Sequence, residues 1–173
     1  MGDSFDLGHV DRLTAGAVGE PGQRAFFVQA AAQGRSLTFL VEKEQVTVLA
    51  RALLQLLASL PDGPEGVEPP ASSLDLIEPV EPEWRAGEMS IAYEDEDDRI
   101  VIELKEAVED EFDDDQGVAR MFATRAQVRA LASHALEVVA SGRPRCQLCG
   151  SPVVDGEEHF CPSMNGHHPA VEE

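Results

Sequence analysis

The stretch EQVTVLARALLQLLAS (44–59) decides how the chain is read, because AQVRALASHALEVVAS (126–141) overlays it without a gap at an offset of 82 residues. Gln45, Val46, Leu49, Ala50, Leu54, Ala58 and Ser59 meet identical residues at Gln127, Val128, Leu131, Ala132, Leu136, Ala140 and Ser141. In the first stretch, Val46, Leu49, Ala50, Leu53, Leu54 and Leu57 recur at i, i+3, i+4, i+7, i+8 and i+11, which is one apolar stripe along an α-helix. Val128, Leu131, Ala132, Ala135, Leu136 and Val139 repeat that spacing, and Gly142 with Pro144 stops the second helix. Two amphipathic helices can look alike simply because each buries Ala and Leu. The shared Gln-Val start and Ala-Ser end favour duplication instead.

Each helix follows a strand-rich segment. Ahead of the first, Leu13–Val18, Ala25–Ala31 and Ser36–Val41 read as strands, separated by the turns GEPGQR and AAQGRS. In GEPGQR, Pro21 presets φ and Gly22 can supply the positive φ of a type II turn. Ahead of the second helix, Glu88–Tyr93 and Arg99–Glu106 read as strands joined by an acidic turn, and GVARMFAT (117–124) as a third. The expected architecture is α+β: two duplicated βββα units, residues 1–60 and 83–141, with helices covering a mostly antiparallel sheet. Between them, residues 61–82 hold six of the eleven prolines and read as a linker, from which Leu74, Leu76 and Ile77 can dock on a core. Trp84 is expected to anchor that linker to the second unit.

Residues 142–173 form a tail with its own chemistry. Cys146 and Cys149 make a Cys-x2-Cys knuckle followed by Gly150, and Cys161 and His167 follow at wider spacing. Zinc takes four such ligands in a tetrahedron, and Asn165–Gly166 is a turn pair that can swing His167 toward Cys161. Cys146, Cys149, Cys161 and His167 are therefore the expected zinc ligands. His159 is the alternative fourth ligand, since His159 and Cys161 on a strand share one face, and His168 comes after it. A redox pair at Cys146 and Cys149 lacks the strand-to-helix setting of a thioredoxin motif and leaves Cys161 without a role. A catalytic zinc needs an open position and a general base. Glu157 and Glu158 stand nearby but read as solvated loop residues.

Charge narrows the partners. The chain has 33 acidic and 13 basic side chains, a formal net charge of −20. Phosphate backbones and anionic membranes require a basic surface, so a nucleic-acid-binding zinc ribbon is disfavoured, and the acidic surface fits solubility or a basic partner protein. The run 94–115 carries 13 acids but lacks EF-hand spacing, and reads as solvated turns around a strand. Arg12 and Arg24 flank the GEPGQR turn and are the weak candidates for an anion site. His134 falls off the apolar stripe and reads as exposed. No Walker loop, GxGxxG, GxSxG or HExxH occurs. With no signal peptide, no myristoylation pattern and no membrane-length apolar run, the expected location is a reducing cytoplasm.

VGEPGQRAFFVQA, FLVEKEQV, GEMSIAYEDEDDRIVIEL and the CQLCG…HFCPSMNGH tail together resemble an actinobacterial family of unknown function, known only as a repeat protein. The resemblance runs over nearly the whole chain and brings no established activity. It implies a partner: members are encoded as one of a trio whose other two proteins resemble a lipid-kinase-like and a histidine-phosphatase-like protein. Two functional expectations follow. The first is a non-catalytic binding or adaptor protein with structural zinc. The second is an enzyme acting on an anionic or phosphorylated small molecule near GEPGQR.

Overall fold

Among the described residues, seven apolar-rich segments and two apolar-striped ones make a mixed α+β fold, a seven-stranded sheet with two α-helices. The computed structural model describes residues 3–108 and 116–142, together with Cys146, Leu148, Cys149 and Cys161. The strands are β1 (Phe5–His9), β2 (Arg12–Val18), β3 (Ala25–Ala32), β4 (Arg35–Val41), β5 (Trp84–Glu94), β6 (Arg99–Glu106) and β7 (Val118–Ala123). The helices are α1 (Lys43–Ser59) and α2 (Arg125–Ala140), and one 3-10 turn, Ala71–Leu74, interrupts the proline-rich segment. Four strands, not three, precede α1. The additional one is β1.

That strand changes the architecture. The order across the sheet is β1-β7-β6-β5-β4-β3-β2, so β1 and β2 stand at opposite edges. Only Val10 and Asp11 separate them. Three backbone steps reach roughly 10 Å, so the sheet must curl until its edges meet. The hinge is tied to both sides. Val10 N–H donates to Phe122 O on β7 at 2.9 Å, and Asp11 N–H to Ala31 O on β3 at 2.8 Å. The Asp11 carboxylate accepts the Gln33 N–H at 3.1 Å. β1 and β2 thus form one bent stave, paired with β7 along its first half and with β3 along its second, in a sheet curled into a barrel. Gly8, at φ +59°, sits in the register shift between Asp6 and His9 and supplies the left-handed backbone that a bulge of this kind takes.

β3 and β6 run against the other five strands. β4 and β7 therefore point the same way. The helices that follow them begin at one end of the barrel and pack against each other, α2 also against β2 and α1 against β5. Alternation along β6 buries Ile100, Ile102 and Leu104, which face Ala123, Met121 and Ala119 on β7. Across the barrel, Phe39 is fully buried between the rings of Trp84 (4.5 Å) and Phe5 (6.3 Å). These rows and the helical stripes, Val46, Leu49, Ala50 and Leu53 with Val128, Leu131, Ala132 and Ala135, form one apolar cluster.

The opposite face of β2, β3 and β4 carries a polar row, Thr14, Gln29 and Thr38, and it too is buried. The proline-rich segment covers it. The Gln29 amide pairs both ways with Ile77, donating to its carbonyl at 3.0 Å and accepting its N–H at 2.7 Å, and also donates to Thr38 Oγ1 at 3.0 Å. Thr14 Oγ1 donates to Leu74 O at 2.5 Å. Gly16 lies under Leu76, where a Cβ would come within 2.6 Å of Leu76 Cγ. Each buried polar atom of the row thus has a partner.

Both helices start by the same device. Gln45 Oε1 accepts the Glu42 N–H at 2.7 Å, while its Nε2 donates to Ala86 O and Gly87 O at 3.1 and 2.7 Å, at the irregular start of β5. Gln127 Oε1 accepts the Thr124 N–H at 2.9 Å, and its Nε2 donates to Val10 O at 2.8 Å, in the barrel hinge. Each glutamine closes a capping box and pins a strand with one side chain. Replacing either by alanine should lower the unfolding free energy by about 1–2 kcal/mol, a helix cap plus a satisfied carbonyl. Urea denaturation of Gln45→Ala and Gln127→Ala checks this, with an unchanged denaturant slope.

The acidic 94–115 run is not all solvated turn. Asp98, at φ +50°, turns its carboxylate onto the buried guanidinium of Arg125 at the start of α2, with Nη2 at 2.6 Å and Nε at 2.9 Å. Tyr93 donates to the same carboxylate at 2.8 Å, and Arg125 Nη1 donates to Pro61 O at 2.7 Å. Residues 109–115 of the run lie outside the described residues. The Arg125 hydrogen bond, helped by Tyr93, holds the Asp98 carboxyl below the usual carboxylate range, against the opposing effect of burial. Its stabilising contribution is complete above the ordinary carboxylate pKa of about 4 and is lost as pH falls through the lowered value. Asp98→Asn should therefore be less stable than the parent at neutral pH and lose less stability on acidification. Thermal melts between neutral pH and about pH 3 would show the two curves converging.

Candidate functional site

The tail leaves the barrel at a fixed point. α2 has no basic residue in its last turn, although its terminal carbonyls favour a cation there. Arg24, from the start of β3, supplies it. Nη1 donates to Val138 O at 2.9 Å and Ser141 Oγ at 3.4 Å, and Nη2 donates to Val139 O at 3.5 Å. The guanidinium also stacks over Phe26, 5.0 Å from the ring centroid. Gly142, directly after the helix, leaves no room for a Cβ beside this guanidinium.

Beyond it, Cys146, Cys149 and Cys161 come together, with all three Sγ atoms within 4.8 Å of one another. Cys161 is buried, and the other two are half-buried. The Cys146 and Cys161 sulfurs stand 3.7 Å apart. That is far beyond a disulfide bond of about 2.0 Å. It matches the spacing of about 3.8 Å that two thiolates take around a tetrahedral zinc with Zn–S bonds of about 2.3 Å. Backbone N–H groups of Cys149 and then Leu148 point at the Cys146 sulfur and lower its pKa, favouring the thiolate that ligates metal. Three soft, clustered sulfurs of this kind can bind a metal ion. His167, His159 and His168 lie outside the described residues, as does most of the 142–173 tail.

The two arginines are not brought together. Arg12 lies opposite Ala31 at one end of the β2–β3 ladder, and Arg24 adjoins Ala25 at the other. Arg12 Nη2 donates to the Asp75 carbonyl, holding the proline-rich segment, while Arg24 caps α2. Neither His134 nor any other described histidine approaches the three sulfurs. Trp84 opens β5, packs against Phe39 and donates from Nε1 to Asp3 O at 3.0 Å, so it fastens the N-terminus to the sheet. Sequence reasoning missed Lys43, Thr47 and Arg51. With Arg24, they line a cavity between the two helices at the GEPGQR turn.

Among the described residues no helix is long and apolar enough to cross a membrane. Comparison with curated proteins and with solved structures gives no match. A family model does match, over residues 5–161, from β1 to the third cysteine. The chain, barrel and cysteine cluster together, belongs to the family described as "Protein of unknown function (DUF3090)".

Proposed function

We propose that the protein is a non-catalytic binding or adaptor protein whose tail is closed by a structural zinc ion. The observation that carries this reading is the convergence of Cys146, Cys149 and Cys161 at thiolate–zinc spacing. His167 completes the tetrahedron, with His159 as the alternative. A closed set of four protein ligands leaves no position for a reacting water, so the metal's role is to fold a segment too small for a core of its own. The scaffold beneath is a duplicated βββα unit. The paired use of Gln45 and Gln127 supports that history, since two unrelated helices have no need of the same residue doing the same two tasks. The partner is a protein with a basic face, suited to a surface of 33 acids and 13 bases. A lipid-kinase-like or histidine-phosphatase-like protein is the candidate, met in a reducing cytoplasm that keeps the thiols available to zinc.

Full-length protein purified without chelator should carry about one zinc per chain, matching a four-ligand site. Cys161→Ser should lose most of it by elemental analysis, and His167→Ala should lose more than His159→Ala. Unchanged stoichiometry in Cys161→Ser would remove the metal from the reading. Chelation should also expose thiols. Iodoacetamide near neutral pH should then label Cys146 first, because of its lowered pKa, and buried Cys161 last, by peptide mass mapping. Labelling equally fast before and after chelation would count against a bound metal.

A further inference from the structure

We infer that the cavity between α1 and α2 binds a small organic anion, a phosphomonoester being the group it suits best. This goes beyond the adaptor reading and does not depend on the zinc site. The cavity, about 580 Å³, is lined by Arg24, Phe26, Lys43, Thr47, Arg51 and Val139 among others. That volume falls within the range of small-molecule sites. Lys43, Thr47 and Arg51 stand at i, i+4 and i+8 on α1, so one helical face presents two cations, with the Thr47 hydroxyl between them donating back to Lys43 O at 3.0 Å. Lys43 also sits in the first turn, where the helix end is itself positive. Arg24 reaches in from the opposite wall.

The charge makes this placement informative. In a chain with 33 acids and 13 bases, three cations line one cavity, and no acidic side chain among the described residues does. Elsewhere five of the described bases have carboxylate partners, Arg85 with Glu42, Lys105 with Glu88, Arg120 with Glu103, Arg125 with Asp98 and Arg129 with Glu65, while Arg12 and Arg99 donate to backbone carbonyls and Arg35 stacks on Phe5. Glu42, which adjoins Lys43 in sequence, is turned to Arg85. Cations gathered without an anion repel one another, and a bound anion relieves that repulsion. The end of α2 forms the other wall, and its carbonyls would repel an anion. Arg24 takes those carbonyls up, leaving Lys43 and Arg51 to set the sign of the site. Phe26, Leu136 and Val139 add apolar wall, which accommodates an organic group attached to the anion and not merely an inorganic ion.

The test titrates the zinc-loaded full-length chain with phenyl phosphate and, separately, inorganic phosphate at constant ionic strength, following backbone amides by NMR. Saturable shifts are expected at Lys43, Thr47, Arg51 and Gly142, with phenyl phosphate binding about tenfold more tightly because it also buries apolar surface. The double variant Lys43→Ala/Arg51→Ala should bind at least about tenfold more weakly, having lost two charge-assisted contacts, with zinc content and melting temperature unchanged. Both positions are exposed, so the fold does not depend on them. Shifts that grow linearly without saturation, or binding undiminished in the double variant, would overturn the site. Equal affinity for the two phosphates would overturn the organic nature of its ligand. Absence of zinc with anion binding intact would remove the metal from the adaptor reading and leave this one standing.

Discussion

The two-residue hinge at Val10–Asp11 is the constraint on which the rest of the molecule depends. Two strands joined by so little chain cannot stand at opposite edges of a flat sheet. Once the edges are drawn together, an open sheet becomes a barrel, its inward rows become a single core, and both helices start from one end. The backbone bonds from Val10 to β7 and from Asp11 to β3 turn that covalent constraint into a hydrogen-bonded seam. Gln127 adds a side-chain bond to the same seam and simultaneously begins α2. The closing of the barrel and the placing of the helix are therefore one event.

Polar side chains do the joining wherever apolar packing cannot. Gln29 imitates a strand toward Ile77 and so fastens the proline-rich segment without needing that segment to be a strand. Arg125 collects the β5–β6 turn through Asp98 and the exit of α1 through Pro61. Arg24 carries a cation from the sheet to the end of α2. These bonds are satisfied and partly buried, the condition under which polar groups fix a single arrangement of elements rather than merely tolerate it.

What the sequence disclosed and what it withheld follow from locality. The helical stripes at 44–59 and 126–141 are periodic within a few turns, so they were readable, and so were β2 to β7 from their apolar runs and the turns between them. β1 was not. It has five residues broken by Gly8, and its one signal, buried Phe5 and Leu7 either side of exposed Asp6, is too short to stand out. Gln29 in mid-strand carries no local sign of its burial, because its cover arrives from residues 48 positions away. The cysteines were legible as a cluster because metal ligands announce themselves by type. Lys43, Thr47 and Arg51 were not, because three polar residues on an exposed helical face are ordinary until Arg24 is known to face them. Asp98 was hidden in a run of acids, and only its partner on α2 distinguishes it from its neighbours.

The seam between β1 and β7 also sets an order of events. Ser4 accepts the N–H of Val118, a contact spanning 114 residues, so β1 meets its neighbour only once β7 exists. During synthesis the β2–β3–β4 meander can form while β1 waits, with Phe5 and Leu7 unburied and one edge of the nascent sheet open. Contacts of such long range fold slowly, because a large loop must close before they reward it. The barrel thus finishes at its own beginning, and the interval before that is when the chain is most open to pairing with a neighbour or to capture by a chaperone.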